Sequence, residues 1–325
     1  MLINKTEKQL IQKYYSGRFY HNEDHIYEML TGLRDLFLEK KLTEKLKKAI
    51  IFHDSIYDPR CSDNEEKSCL EFTNIYPNDP DKNDIIELIM VTKTHKYSQD
   101  HIKNIMIDLD LGIFKKELSN LLDYEIGIFK EYQFAEINEY IKKRTDFLKK
   151  LKIKLINRKT YSDHQLNNID LLIKHIQDKK YKIGIYPGSF SPFHIGHKNI
   201  LEKAEKIFDK VIIAKGINHN KVKGKEEYDL PERLLNEKIY YNGLVTDLFE
   251  RKHSNISYYL IRGLRNAQDY FYEESFRKTI LSINSEIQFV YIPSDPQYEH
   301  ISSSVIREVN QFNPNVAKKW LIDPT

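Results

Sequence analysis

The sequence predicts two domains in series, a helical one followed by an α/β domain built on a parallel sheet. Three observations carry that reading. A chain of 325 residues is long for one core and comfortable for two. From residue 5 to about 178, apolar side chains recur at the 3.6-residue helical period with few β-branched alternations. After Lys182 the rhythm changes to short apolar runs separated by helical stretches, the alternation that makes a parallel sheet. The boundary is placed at 179/180, giving domains 1–179 and 180–325.

Composition narrows the class. A hydrophobic fraction of 40% with 30% charged residues is that of a soluble globular protein, and 22 Tyr and 16 Phe supply ample core. No apolar run approaches membrane-span length and the first residues lack a basic-then-apolar leader, so the expected location is cytoplasmic, with no membrane partner. A net charge of +3 gives no argument for nucleic acid as a partner. Two cysteines, Cys61 and Cys69, are too few for a disulfide framework.

In the helical half, Ile26, Met29, Leu30, Leu33 and Phe37 form one stripe and Leu46, Ile50 and Ile51 begin another. Breaks at Asp58-Pro59, Pro77 to Pro80 and Tyr97 to Asp100 separate the helices. Four segments embed polar groups in apolar sequence: Arg18-Phe19-Tyr20-His21-Asn22 leading to His25, Ile51-Phe52-His53-Asp54, Thr94-His95, and Ile107-Asp108-Leu109-Asp110-Leu111. A single buried histidine is usually a hydrogen-bonded core residue. Four such segments ask for partners, and one divalent metal can serve several of them.

The order His, His-Asp, His, Asp resembles the HD superfamily of metal-dependent phosphohydrolases. The local patterns Arg18-x-Tyr20-His21-Asn22-x-x-His25, His53-Asp54-Ser55-x-Tyr57-Asp58 and Asp63-Asn64-Glu65-Glu66-x-Ser68 resemble one branch of it. The resemblance implies a divalent transition metal (Mn, Fe, Co, Ni or Zn) held by His21 or His25, His53, Asp54, and Asp110 or Asp108, with His21 and Asp110 favoured. It places His95 close to metal or phosphate and makes Arg18 and Glu65 outer-shell or substrate-contacting candidates. The alternative is a helical scaffold without catalysis that senses nucleotides or regulates.

Residues 160 to 180 read as a helix capped by Ser162 or Asp163, carrying Leu166, Ile169, Leu172, Ile173 and Ile176, followed by a charged hinge. Beyond it, Ile183–Tyr186, Val211–Ala214, Ser257–Ile261 and Gln288–Ile292 are the expected strands, with helices near 196 to 208, 268 to 282 and 303 to 310. The first strand runs into Tyr186-Pro187-Gly188-Ser189-Phe190-Ser191-Pro192-Phe193-His194-Ile195-Gly196-His197. A strand, a Gly/Pro turn and a helix start make a phosphate site, because free N–H groups and the positive helix end face the turn. The face of the following helix is read as Ile200, Leu201, Ala204, Ile207 and Phe208. The third strand leads to Arg262-Gly263-Leu264-Arg265, two anion clamps, and the fourth to Ile301-Ser302-Ser303-Ser304-Val305-Ile306-Arg307, hydroxyls at another helix start. Three anion sites at one sheet edge imply a polyphosphate ligand. No Gly-Lys-Ser/Thr loop or Gly-x-Gly-x-x-Gly is present.

These segments resemble the HxGH nucleotidylyltransferase superfamily and, within it, phosphopantetheine adenylyltransferases. That resemblance implies a Rossmann-like fold and attack of an acceptor phosphate on the α-phosphorus of ATP, with Mg²⁺ accompanying the nucleotide. It assigns Ser189 and His197 to the reacting phosphate, His194 to neighbouring phosphates, Lys221 to bridging both substrates and Arg262 to the acceptor. Phe190, Gly263, Arg265, Glu273, Ser302, Ser303, Ser304 and Arg307 join Ser189 and His197 as ATP contacts, and a homo-oligomer is implied. Two departures stand out: a histidine at 194 where that family usually has threonine, as in nicotinamide mononucleotide adenylyltransferases, and a shortened stretch at 231 to 242. The expected partners are ATP and a small phosphorylated acceptor, 4'-phosphopantetheine-like or, as the alternative, nicotinamide or nicotinate mononucleotide.

Overall fold

A computed structural model describes residues 3–217, 228–250 and 254–322, and divides the chain into two compact units. Residues 1–132 and 140–177 make the first, and residues 133–139 and 178–325 the second. The boundary expected from sequence falls at 179/180. The short excursion of 133–139 into the second unit was not expected.

The first unit is helical: α1 (Lys5–Tyr15), α2 (Glu23–Arg34), α3 (Lys40–Phe52), α4 (Asn64–Ile75), α5 (Lys82–Met90), α6 (His101–Asp110), α7 (Leu118–Glu131), α8 (Ile137–Arg158) and α9 (Asp163–Asp178). Side-chain caps fix several starts: Asn4 on Glu7, Asn22 on Asp24 and His25, Asp100 on Ile102 and Lys103. At α9 the Ser162 hydroxyl accepts from Gln165 N–H while Gln165 accepts from Ser162 N–H, a reciprocal capping box. Ile26, Met29, Leu30 and Leu33 are buried as the stripe predicts, alongside Leu46, Ile50 and Ile51. Phe37 is not part of that stripe: α2 ends at Arg34, and Phe37, at φ 50°, is 94% exposed.

The second unit holds a five-stranded, wholly parallel sheet of β1 (Tyr181–Gly188), β2 (Lys210–Gly216), β3 (Lys238–Tyr241), β4 (Ile256–Leu264) and β5 (Gln288–Pro293), in the order β3-β2-β1-β4-β5. Its helices are α10 (Ile195–Ala204), α11 (Ala267–Ile283), α12 (Ser303–Phe312) and α13 (Pro314–Lys318). Four strands fall where the apolar runs put them. β3 escaped because Lys238-Ile239-Tyr240-Tyr241 is short, half-buried and lies at the sheet edge, so its pattern carries little apolar signal. α10 ends at Ala204, four residues before the expected end; Phe208 is buried but Ile207 is 55% exposed and lies off the packed face.

The strand order decides where a ligand sits. From central β1 the chain moves outward through β2 to β3, then returns to lay β4 on the other side of β1. In a parallel sheet the crevice beyond the carboxyl ends of the strands flanking such a reversal, here β1 and β4, is the natural binding place. The segment 133–139 braces the opposite end of β2: the buried Lys210 ammonium donates to the carbonyls of Gln133 and Ala135 and pairs with Glu237 at 3.2 Å. Among the described residues, no helix is long and apolar enough to cross a membrane.

Candidate functional site

The crevice beyond β1 and β4 is a cleft of about 360 Å³ lined by Ser189, Phe190, His194, His197, Arg262, Gly263, Arg265, Glu273, Ser302 and Ser303, among others. A second lobe of about 620 Å³ opens on the β2–β3 side, lined by Gly216, Ile217, Tyr241, Asn242, Gly243 and Phe276. Pro187, Gly188, Ser189, Arg262 and Tyr272 line both. The two lobes therefore meet where the first strand ends.

His194 is the N-cap of α10, and it forms a reciprocal box with His197. Each Nδ1 accepts the other's backbone N–H at 3.4 Å, and the rings stack with centroids 3.6 Å apart. An Nδ1 that accepts cannot carry the proton of a neutral imidazole, so on both rings the proton sits on Nε2. Burial and the nearby Arg265 lower the pKa of His194 to about 4; burial, His194 and Arg265 drive His197 well below the usual range. At neutral pH both rings are uncharged Nε2–H donors lining the cleft. Gly196 permits the stack, because a Cβ there would come within 3.1 Å of the His194 ring. The segment after α13 closes over this turn: Ile195 N–H donates to the Trp320 carbonyl at 2.9 Å, beside an isolated bridge between His194 and Leu321.

The arginines are anchored. Arg262 forks onto Glu273 at 2.7 and 2.6 Å and lies 4.9 Å from the centre of the Phe276 ring, while Arg265 forks onto Asp269 at 2.9 and 3.1 Å. Glu273, expected as an ATP contact, thus spends its carboxylate on Arg262. Ser302 caps α12 through Val305 N–H, and Ser303 donates to the Pro192 carbonyl at 3.0 Å. Arg307 bonds the Ser191 carbonyl and the Ser304 hydroxyl, so it ties the Ser189–Pro192 turn to α12. Phe190 is 1% exposed, at φ 44°, with its ring against Tyr186, Phe193 and His197; it supports the histidine from below. Lys221 lies outside the described residues. The sequence reading gave no place in the site to Asp269, Tyr272, Tyr298 or Tyr241, which line the two lobes; aromatic residues on short segments give no periodic signal.

The helical unit gathers a second cluster. His53 Nε2 lies 3.1 Å from Asp54 and 3.6 Å from Asp110, and Asp110 also receives His25 at 3.2 Å and His95 at 2.7 Å. His53 Nδ1 is 2.9 Å from the Ile50 carbonyl and donates to it, which leaves Nε2 facing two carboxylates, buried and without a hydrogen bond. Ligand atoms of His25, His53 and Asp54 come within 4.8 Å of one another. His21, the favoured first ligand, is placed differently: its Nδ1 is bound to Glu131 at 2.7 Å and its Nε2 stands 4.0 Å from Asp54. Asp108 turns away to Tyr97 and Arg158, at 2.7 and 3.0 Å. Arg18 bonds the Asp54 and Ser55 carbonyls at 2.6 and 3.0 Å and braces that backbone. Glu65 is half-buried, its pKa raised by burial. Glu131 was missed, although a carboxylate beside Ile128 and Phe129 on the packed face of α7 is an available signal.

Comparison with known proteins bears on the second unit. A family model described as cytidylyltransferase-like matches residues 185–309. The chain is 35% identical to the phosphopantetheine adenylyltransferase of Dichelobacter nodosus over 146 residues, 41% of this chain and 86% of that enzyme. It is 34% identical to the phosphopantetheine adenylyltransferase of Clostridium perfringens strain 13 over 146 residues, 42% and 85% of the two chains. The Streptococcus pneumoniae strain 70585 enzyme of the same name is 35% identical over 147 residues, 42% and 88%.

Proposed function

Through its C-terminal unit the chain belongs to the phosphopantetheine adenylyltransferase family, and we propose that it transfers the adenylyl group of ATP to the phosphate of a 4'-phosphopantetheine-like acceptor, a step of coenzyme A biosynthesis. The observation that carries this is the pair of lobes meeting at Ser189 and Arg262, one walled by the histidine pair, Arg265 and the α12 start, the other by Tyr241 and Phe276. ATP occupies the first lobe and the acceptor the second. An acceptor phosphate oxygen attacks the α-phosphorus as the bond to pyrophosphate breaks, and no covalent enzyme intermediate is needed.

Catalysis is then positioning plus charge stabilisation. The Nε2–H groups of His194 and His197 donate to phosphate oxygens without a proton leaving the ring. Arg262, held rigid by Glu273, neutralises the acceptor phosphate, and Ser189 bridges the lobes. Both carboxylates lining the nucleotide lobe, Asp269 and Glu273, are committed to arginines, so Mg²⁺ fits as part of the ATP complex. Pyrophosphate release with ATP, Mg²⁺ and 4'-phosphopantetheine is the test. Release with nicotinamide or nicotinate mononucleotide alone would reassign the acceptor, and none with any would sink the reading.

A second reading rests on His53 Nε2, buried beside two carboxylates without a hydrogen bond, a ligand set that a divalent cation would bring together. The helical unit is proposed as a metal-dependent phosphoester hydrolase in which His25, His53, Asp54 and Asp110 hold a divalent transition ion and His95 borders it. Such an ion supplies charge neutralisation for the phosphoester and an acidified water. Elemental analysis should find one ion per chain, lost in His53→Ala. No ion after reconstitution would leave a regulatory, nucleotide-sensing module.

A further inference from the structure

We infer that Glu131 is a positioning residue for His21, holding its imidazole as the Nδ1–H tautomer so that the Nε2 lone pair faces the His25–His53–Asp54–Asp110 cluster. Glu131, the last residue of α7, is 4% exposed and its carboxylate meets the Tyr20–His21 segment. One oxygen accepts the N–H groups of Tyr20 and His21 at 2.7 and 3.0 Å, and the other lies 2.7 Å from His21 Nδ1. The two amide donors decide the chemistry of that second oxygen. They lock the carboxylate in place, and an ionised carboxylate can only accept, so Nδ1 must be the protonated nitrogen.

Two aromatic rings hold the plane of the imidazole. Tyr57 lies across it at 4.1 Å and 30°, and Tyr20 meets it edge-on at 5.0 Å and 83°. Its Nε2 stands 4.0 Å from the Asp54 oxygen that lies 3.1 Å from His53 Nε2. The Glu131–His21 pair thus has the form of a carboxylate–histidine unit that fixes tautomer and raises basicity at a metal centre. His53 achieves the same tautomer with a backbone carbonyl, Ile50. This rests on the proposed metal-binding reading of the helical unit only for its use, not for the tautomer itself.

Glu131→Gln separates the two. The same two amide donors would hold the glutamine oxygen where they hold the carboxylate oxygen, so the NH₂ group would face Nδ1 and donate to it. The proton is thereby forced onto Nε2 while the shape is kept. Nitrogen-15 imidazole spectra of the full-length, metal-free protein at alkaline pH, where the ring is neutral, should show Nδ1–H at His21 in the wild type and Nε2–H in Glu131→Gln. Affinity for Mn²⁺ by calorimetry should fall about 10- to 100-fold in the variant. Nε2–H in the wild type, or an unchanged tautomer in Glu131→Gln, overturns the inference, and the wild-type spectrum decides even if the variant does not fold. A wild type with the Nδ1–H tautomer that binds no Mn²⁺ upholds the positioning role and sinks the metal reading alone.

Discussion

Protonating His194 breaks the bond that starts α10, because a charged imidazole has no lone pair left on Nδ1 for the His197 amide. Burial and Arg265 already hold its pKa at about 4 against an ordinary 6.5. The folded state therefore binds this proton more weakly than the unfolded chain. Its contribution is full above about pH 6.5 and declines as pH falls toward 4, a loss on the order of 3 kcal/mol for one group. His197, lowered by burial, His194 and Arg265, adds in the same direction. Urea unfolding of the C-terminal unit should show stability falling steeply across that window. In His194→Asn, which keeps a good N-cap and cannot titrate, the slope should flatten; an equal slope would exonerate the histidine. For the proposed chemistry, removing the His197 donor by His197→Ala should lower kcat about 10²- to 10³-fold, read by pyrophosphate release at saturating ATP. A change confined to KM would show that the ring merely binds.

At the scale of elements, the turn after β1 works because α10 packs directly on the sheet. Gly184 sits in the middle of β1, and a Cβ there would come within 2.4 Å of Ile261 on β4 and 2.8 Å of Phe208 after α10. Phe208 and Ile261 belong to the same packed cluster as Ile200 and Leu201, so neither has room to retreat. Gly184→Ala should destabilise the C-terminal unit by about 1–3 kcal/mol through overpacking, measured by denaturant midpoint; an unchanged midpoint would mean the layer is looser than it looks. Gly196→Ala acts differently. It gains about 1 kcal/mol in helix propensity yet pushes on the His194 ring, so activity should fall more than tenfold while stability changes little.

The same scale explains what the sequence could and could not tell. Buried strands of a parallel sheet are apolar on both faces, so β1 and β2 were visible as runs, and the half-buried β4 and β5 showed through the short apolar runs Leu260-Ile261 and Val290-Tyr291-Ile292. The groups proposed to bind anions were visible because each stands next to a strand end or a helix start, where local sequence dictates local geometry. Partner choice was not visible. That Glu273 serves Arg262, Asp269 serves Arg265, and Arg307 braces Ser191 depends on rotamers and on residues up to 116 positions apart. Likewise His21, His25 and their rivals are separated by one helical turn, and only the packing of Glu131 against Tyr20 and His21 distinguishes their orientations.

Taken as a whole molecule, the chain carries two candidate sites in two units that each close their own core. One buried cluster runs from Leu10 to Met106 through the helical unit. Those of the α/β unit, around Tyr186, Leu260 and Ile301, draw on residues 186 to 322. A ligand stabilises the unit that binds it by RT ln(1 + [L]/Kd), about 2.7 kcal/mol at a hundredfold excess over Kd. ATP with Mg²⁺ should therefore raise one thermal transition and leave the other in place, and Mn²⁺ should raise the other. The assignment follows from substitutions inside each site: Arg265→Ala should abolish the ATP-dependent shift, and His53→Ala the Mn²⁺-dependent one. Scanning calorimetry of the full chain reads both at once. A single transition that moves with either ligand would show that separate cores do not unfold separately, and that occupation of one site is felt as stability at the other.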